Sequence, residues 1–238
     1  MKLVTIFLAL ALGLAVTAFA QAKPAAVESA AEVLPYAVNY WPSGLGLGVA
    51  TLSAKKDNTP EGEEQWRFEL RLDAGVPGFP VTDHFISQAT TAFCSVAFEK
   101  NAVHGKRKAS EKISFDAKKR TATRQTTDGG KSEISTPACA KDPLAFLFFA
   151  RQELKAGRIP ASQPVFYGAG YQVRFDAAGT QSIRSGDAMV EADKVVGTIK
   201  GPATEAKFEM LFARDLVRSP LLIKVPFVVG TIAMELAR

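Results

Sequence analysis

Along much of this chain, hydrophobic residues alternate with polar ones, and this pattern is typical of β-strands. In the stretch 65–73, apolar side chains occupy every second position: Trp66, Phe68, Leu70 and Leu72. A period of two places them on one face of a β-strand, with charged residues on the other face. Similar alternation recurs from residue 34 to residue 236, between short turns. We therefore predict a mainly β protein with about ten strands, in a single curved antiparallel sheet or a half or open β-barrel.

One segment departs from this period and predicts a helix. Asp142 suits the N-cap and Pro143 the first turn, because that turn leaves backbone N–H groups unpaired. Gly157 and Pro160 end the run. The first two turns are apolar nearly all round, so this helix has to be buried on most sides. We expect a single apolar helix in or across the concave face of the curved sheet.

The first twenty residues have the features of a secretory signal peptide. Lys2 gives a basic start, an uncharged apolar stretch follows, and Ala18-Phe19-Ala20 supplies the small residues that signal peptidase recognises. We predict residues 1–20 as the signal peptide, 21–33 as a polar tether and 34–238 as a single curved β domain. Cleavage near Ala20 implies an exported protein, periplasmic or secreted, with no transmembrane span after cleavage. The alternative is an uncleaved membrane anchor.

Two cysteines, Cys94 and Cys139, occur in the chain. In the oxidising compartment that export implies, they can pair. The bridge closes a loop of roughly 45 residues, which stabilises the fold by about 4 kcal/mol in the loop-entropy model. The alternative is two buried free thiols. Two cysteines are too few for a disulfide-rich scaffold or a four-thiolate zinc site.

The sequence contains no motif that indicates catalysis, a metal or a cofactor. The two histidines, His84 and His104, fit neither the H-x-x-x-H nor the H-E-x-x-H spacing of metal ligands. The G-x-S-x-G motif of a serine nucleophile is also absent from the sequence. The glycine-rich stretch 44–48 opens no helix, so it favours a bent hairpin strand over a nucleotide loop. We therefore predict a protein without catalytic, cofactor-binding or metal-binding residues. An enzyme whose site is assembled from distant residues is the remaining alternative.

Two basic clusters, 106–108 and 118–120, carry much of the positive excess of a chain whose net charge is +5. Such clusters attract the headgroups of phospholipid or lipopolysaccharide. Lysines on exposed strands and turns also prevent sheets from pairing edge to edge, which is the interpretation we favour here. Nucleic acid is not expected as a partner, because no aromatic and basic stripe accompanies the clusters.

Aromatic residues in and after the predicted helix exceed what one helix needs to pack against a sheet. They are Phe146, Phe148, Phe149, Phe166 and Tyr167. We identify them as the candidate lining for an acyl chain or another apolar ligand inside a curled sheet. The alternative is that they form an ordinary filled core.

Three segments form a recognisable combination. Residues 34–40 read L-P-Y-A-V-N-Y, residues 142–151 read D-P-L-A-F-L-F-F-A-R, and residues 219–236 begin with Ser-Pro and end in a G-T-I-A-M-E-L stretch. Together they resemble an exported bacterial family catalogued as domain of unknown function 3108. The resemblance implies a single curved antiparallel β domain, similar to half-barrel carriers of lipoproteins and lipids. It implies no catalytic residue.

These observations predict an exported, non-catalytic periplasmic or envelope protein that binds a lipid or another apolar envelope component. The main alternative is an envelope interaction or scaffold module that binds other proteins through an exposed strand or patch. The sequence specifies neither the ligand nor the oligomeric state.

Overall fold

The computed structural model describes residues 31–202, 204–227 and 230–237, which form fourteen β-strands and one α-helix. The predicted signal peptide and most of the predicted tether lie outside the described residues. The strands are β1 (Glu32–Trp41), β2 (Leu45–Asn58), β3 (Glu64–Val76), β4 (Phe79–Thr90), β5 (Ser95–His104), β6 (Arg107–Asp116), β7 (Thr121–Thr126), β8 (Lys131–Ser135), β9 (Gln163–Tyr167), β10 (Ala169–Ser185), β11 (Ala188–Lys200), β12 (Glu205–Ala213), β13 (Pro220–Phe227) and β14 (Gly230–Leu236). The helix α1 (Pro143–Lys155) connects β8 to β9.

The strands form a single antiparallel sheet in which nearly every strand pairs with its neighbours in sequence. β1 pairs with β14 as well as with β2, so the first and last strands meet inside the sheet. The two edges are β8 and β9, and no pairing joins them among the described residues, so the sheet is open. The prediction of a mainly β fold with one antiparallel sheet and a single helix is confirmed, and the structure adds that the sheet does not close.

The expectation of about ten strands was wrong, because β4, β8 and β9 lack clear alternation. β4 places the polar Asp83 and Ser87 on the same face as Phe85, which hides the apolar period. β8 is a short, exposed edge strand in which Ile134 is the one half-buried residue. β9 spans five residues and includes Pro164, which is tolerated at an edge because it lacks an N–H to donate.

The helix begins where the sequence predicts. The Oδ1 atom of Asp142 accepts hydrogen bonds from the backbone N–H groups of Leu144 (2.9 Å) and Ala145 (3.0 Å), and Pro143 occupies the first turn. After the last turn, Gly157 adopts a φ of +73° and its N–H donates to the carbonyl of Leu154. The helix therefore has a side-chain cap at its start and a left-handed glycine after its end.

The sheet curls around α1. The helix packs against β3 and β4 on one side and against β9 on the other, although these strands are far apart in the sheet. We call the sheet face that points toward α1 the inner face. Leu144 and Phe148 join a core cluster with the inner face of β1–β7, whereas Phe146 and Leu154 join a second cluster with β9–β13. Within the described residues, no helix has the length and hydrophobicity that crossing a lipid bilayer requires.

A disulfide joins Cys94, just before β5, to Cys139, just before α1. Beside it, the N–H of Ser95 donates to the carbonyl of Ala140 at 2.8 Å. The predicted bridge is therefore present, and it fixes the approach to the helix against the β4–β5 hairpin.

Candidate functional site

An apolar cavity of about 570 Å³ lies between the first turns of α1 and the inner face of the sheet. This volume falls within the range of small-molecule sites. The described residues that line it are Phe85, Pro143, Leu144, Phe146, Leu147, Val165, Tyr167, Tyr171, Val173, Phe175, Ile199, Ala206, Lys207, Phe208, Met210, Ile223 and Val225. Lys207 is the charged residue of this set, and two tyrosines provide its hydroxyl groups. The wall is therefore suited to hydrocarbon.

Strand alternation builds most of this wall. On β10, Tyr171, Val173 and Phe175 occupy every second position and point to the same face. The neighbouring strands β11, β12 and β13 add their own inner residues in register with them. The ring of Phe175 packs edge-on against Phe146 of the helix at 5.2 Å and against Phe208 of β12 at 5.8 Å. Helix and sheet thus meet through aromatic contacts at one side of the cavity.

Two glycines let aromatic rings lie close to the sheet beside the cavity. Gly197 of β11 is paired with Phe208 of β12, and a Cβ atom at Gly197 would overlap the ring of Phe208. At Gly201, a Cβ atom would lie 2.7 Å from Cε1 of Tyr171. A side chain at either position would have to displace a ring that lines the cavity. Sequence reasoning missed both glycines, although Gly197 interrupts an apolar strand, which is a signal of close approach.

Two of the five predicted lining residues are in the cavity wall. Phe146 lines it from the helix, and Tyr167 lines it from the end of β9. The ring of Tyr167 packs edge-on against Phe85 at 5.8 Å and Phe98 at 5.9 Å, so it bridges β9 to the inner face of β4 and β5. Burial and the neighbouring Lys100 act in opposite directions on the Tyr167 hydroxyl, and burial prevails to raise its pKa.

The other three predicted residues lie elsewhere. Phe148 points away from Phe146 and does not line the cavity, and its ring stacks on Phe68 at 4.2 Å. Phe149 is half-buried beneath Lys141, whose Nζ atom lies 4.4 Å from the ring centre. Phe166 is buried and alternates with Tyr167, so it faces away from this cavity wall. Helical and strand periodicity therefore distribute the aromatic cluster over several surroundings.

A buried carboxylate fixes the start of α1 over the sheet. Asp142 is fully buried, and its Oδ2 atom accepts hydrogen bonds from the hydroxyls of Ser87 and Ser95 at 2.6 Å each. Burial raises the pKa of Asp142 and outweighs these bonds and those of the helix N–H groups, which lower it. Both carboxylate oxygens are occupied by the helix and by β4 and β5. Asp142 therefore has a structural role in positioning Phe146.

A buried guanidinium fixes the far end of the helix. Arg151 is 3% exposed, and its two terminal nitrogens bond both carboxylate oxygens of Glu32 at 2.9 and 2.6 Å. Its Nε atom donates to the carbonyls of Val217 (3.0 Å) and Arg218 (3.2 Å). The helix is therefore anchored near both ends, through Asp142 to β4 and β5 and through Arg151 to β1.

The two histidines form separate pairs with carboxylates. The Nε2 atom of His84 lies 2.5 Å from Oε1 of Glu69, and that of His104 lies 2.9 Å from Oδ1 of Asp83. His84 alternates with the cavity residue Phe85 and so lies on the outer face, whereas His104 lines the inner side. The two pairs are therefore on opposite faces and do not build a common site. In the described part of the chain, no three His, Cys, Asp or Glu side chains form a potential metal site.

Comparisons with known proteins agree with this architecture. A family profile described as "Protein of unknown function (DUF3108)" matches residues 35–237. A comparison with curated protein sequences finds no match. Among solved structures, the chain is similar to a beta-barrel-like protein of domain of unknown function DUF1849 from Brucella abortus, with a TM-score of 0.59 and 6% sequence identity over 90% of this chain and 98% of that chain. At that identity the similarity shows the fold alone, whereas the profile match over almost the whole described chain shows that the protein belongs to the DUF3108 family.

Proposed function

We propose that this protein is an exported, non-catalytic carrier that holds the acyl chain of a lipid, or another apolar envelope component, between α1 and the sheet. The observation that carries the proposal is the apolar cavity of about 570 Å³. Sites for small ligands are concave, mostly apolar and few per protein. The sparse polar groups of this wall favour recognition of a hydrocarbon chain by its size and shape.

The packing around the cavity supports a ligand site over an ordinary filled core. Ile199, Phe208 and Ile223 are half-buried, although they point to the inner face and line an apolar space. An apolar void lowers stability when nothing fills it, because its lining loses dispersion contacts. Each methylene group that leaves water for such a space contributes about 0.8 kcal/mol. Binding of an acyl chain in this space would therefore be favourable for the ligand and would also stabilise the fold.

The proposed export rests on the signal-peptide pattern of residues 1–20. The disulfide between Cys94 and Cys139 supports it, because structural disulfides form and persist in oxidising compartments. A protein expressed with its own leader should be recovered from the periplasm or medium with a mature N-terminus at Gln21, which N-terminal sequencing measures. Recovery with an intact leader would contradict this part of the proposal.

The ligand proposal is tested by narrowing the cavity from its exposed rim. Val225 lines the cavity and is 37% exposed, so Val225→Trp adds bulk without opening the core. Val96→Trp is the matched control, because Val96 is 41% exposed and does not line the cavity. We expect the wild type and Val96→Trp to bind cis-parinaric acid saturably in a fluorescence titration. Val225→Trp should bind it at least about tenfold more weakly.

Absence of saturable binding to the wild type would overturn the proposal, as would equal binding by Val225→Trp at unchanged thermal stability. Mass spectrometry of the ligand after incubation tests the non-catalytic role. Recovery of unchanged ligand is expected, and time-dependent conversion into a product would favour an enzyme.

A further inference from the structure

A second cavity, of about 740 Å³, shares a wall residue, Tyr167, with the apolar cavity. Its described lining includes Lys100, His104, Lys106, Arg107, Lys108 and Tyr167. This set contains three lysines and an arginine, and none of these described lining residues has a carboxylate. The cavity therefore combines a concave shape with positive charge, which attracts anions.

The change from apolar to cationic surroundings occurs across one pair of residues. Phe85 of β4 lines the apolar cavity, and its cross-strand partner Lys100 of β5 lines the basic one. Tyr167 covers both: its ring centre lies 5.8 Å from that of Phe85 and 4.4 Å from the Nζ atom of Lys100. A molecule that occupies both cavities would thus have its polar–apolar junction at Tyr167.

Most of the cations in the basic cavity are available to a ligand. Lys106, Arg107 and Lys108 are exposed, and none forms an ion pair with any residue that the structure describes. Lys100 has a carboxylate neighbour, because its Nζ atom lies 3.5 Å from Oε1 of Glu111. The other oxygen of Glu111 is 2.6 Å from Nε of Arg124, so this carboxylate is shared between two cations.

The pKa of Lys100 is also consistent with an anion site. Burial lowers its pKa, but the contacts with Tyr167 and Glu111 outweigh burial, and the net shift is upward. Lys100 is therefore cationic at neutral pH. The Nε2 atom of His104 is engaged by Oδ1 of Asp83 at 2.9 Å, so the lysines and the arginine are the groups that face a ligand.

We infer that the two cavities are parts of one site for an anionic amphiphile, with the acyl chain in the apolar cavity and, in the basic cavity, a phosphate headgroup that carries no cationic group to balance its charge. Lys100 and Arg107 meet the phosphate on the inner face, and Lys106 meets it from the β5–β6 turn. Charge-assisted hydrogen bonds from lysine and arginine to phosphate are the strong class of such bonds. This inference rests on the proposed function, because it assigns the headgroup of the ligand whose chain that function places.

The experiment compares lipids that share one acyl chain and differ in charge. Isothermal titration calorimetry below the critical micelle concentration measures binding of palmitoyl-lysophosphatidylglycerol, which is anionic, and of palmitoyl-lysophosphatidylcholine, which is zwitterionic. We expect the wild type to bind the anionic lipid about tenfold more tightly at low ionic strength. The preference should decrease as salt is added, because the rim of the basic cavity is exposed to solvent.

A matched pair of variants locates the charge effect. Replacing Lys106, Arg107 and Lys108 by glutamine should abolish the preference for the anionic lipid while the zwitterionic lipid binds as before. The control replaces the second basic cluster, Lys118, Lys119 and Arg120, which lies in the β6–β7 turn and does not line the cavity. It removes the same formal charge and should leave the preference unchanged.

Each outcome bears on the inference in a different way. If neither lipid binds, the proposed function and this inference both fail. If both lipids bind equally, or if the two variants behave alike, the proposed function stands and the headgroup site is overturned. Inorganic phosphate is the final arm: if it binds as tightly as the anionic lipid and is unaffected by Val225→Trp, the basic cavity is a site for free phosphate instead.

Discussion

At the scale of single residues, polar residues of the family motifs fix the first strand and the helix to other parts of the fold. Tyr36 of the opening strand is buried, and its hydroxyl donates to the carbonyl of Pro220 at 2.9 Å, which ties the first strand to the last hairpin. Asp142 and Arg151 fix the two ends of the helix. These polar residues are buried and paired, so they specify where the helix sits rather than what it binds.

Asp142 offers the sharpest test of this role. Asp142→Ala leaves two serine hydroxyls and two helix N–H groups without their acceptor, so we expect the free energy of unfolding to fall by about 3 kcal/mol. Asp142→Asn keeps an N-cap oxygen and should cost clearly less. Urea denaturation measures both variants. Equal stabilities of Asp142→Ala and the wild type would show that the cap does not fix the helix.

Gly197 tests the cavity wall at the same scale. In Gly197→Ala, the new Cβ atom would meet the ring of Phe208, which has to move toward the cavity. We expect a loss of about 1–3 kcal/mol in stability and weaker binding of cis-parinaric acid. Gly46→Ala is the control, because a Cβ atom there has open space within 4 Å. An unchanged affinity in Gly197→Ala would mean that Phe208 does not limit the cavity.

At the scale of elements, a helix or strand could be predicted when residues within it or next to its ends indicate its type. The helix was predictable because Asp142, Pro143 and Gly157 act within a few residues of its ends. Strands with one clean apolar face were predictable for the same reason. β4, β8 and β9 were not, because polar inner residues and edge positions obscure the period.

The candidate site was predictable in part, since it depends on contacts between distant segments. Phe146 and Tyr167 were identified from local aromatic density. The β10–β13 wall was not, because alternation shows which residues share a face but not which element lies opposite them. The basic cluster at 106–108 was visible in the sequence. Its shared boundary with the apolar cavity required the curl of the sheet, which brings Tyr167 over Lys100.

The disulfide between Cys94 and Cys139 holds the segment before α1 against the β4–β5 hairpin. Removing it through Cys94→Ser/Cys139→Ser releases a loop whose closure spans 45 residues. The free energy of unfolding should fall by about 4 kcal/mol on the loop-entropy estimate. Reductant should destabilise the wild type similarly and leave the double variant unaffected in the same denaturation experiment. An equally large effect of reductant on the double variant would point to another cause.

At the scale of the whole molecule, cross-strand ion pairs make the stability of the sheet dependent on pH. The hydrogen bond from Arg124, together with Lys100, lowers the pKa of Glu111 below its ordinary value of 4.5. Burial raises the pKa of Glu69, but hydrogen bonds from His84 and Arg71 outweigh it, and the net shift is downward. Each carboxylate therefore stabilises the fold above pH 4.5, and this contribution is lost as the pH falls through the lowered pKa.

We expect the midpoint of thermal unfolding to decrease on acidification below pH 4.5. Glu111→Gln should be less stable at neutral pH and should lose less stability on acidification, because it has no such carboxylate to protonate. Thermal unfolding followed by circular dichroism between neutral pH and pH 3 measures how the unfolding midpoint of each protein changes with pH. The same decrease in midpoint for the variant and the wild type would show that Glu111 does not contribute.

The whole molecule is an open sheet curled around one anchored helix, with an apolar cavity that a basic cavity extends. If hydrocarbon fills the apolar cavity, as we propose, the lipid should stay bound through purification without detergent. Native mass spectrometry of such a preparation detects it. We expect a species heavier than the polypeptide by the mass of one lipid, which organic extraction removes. The polypeptide mass alone, both as purified and after incubation with envelope lipids, would contradict it.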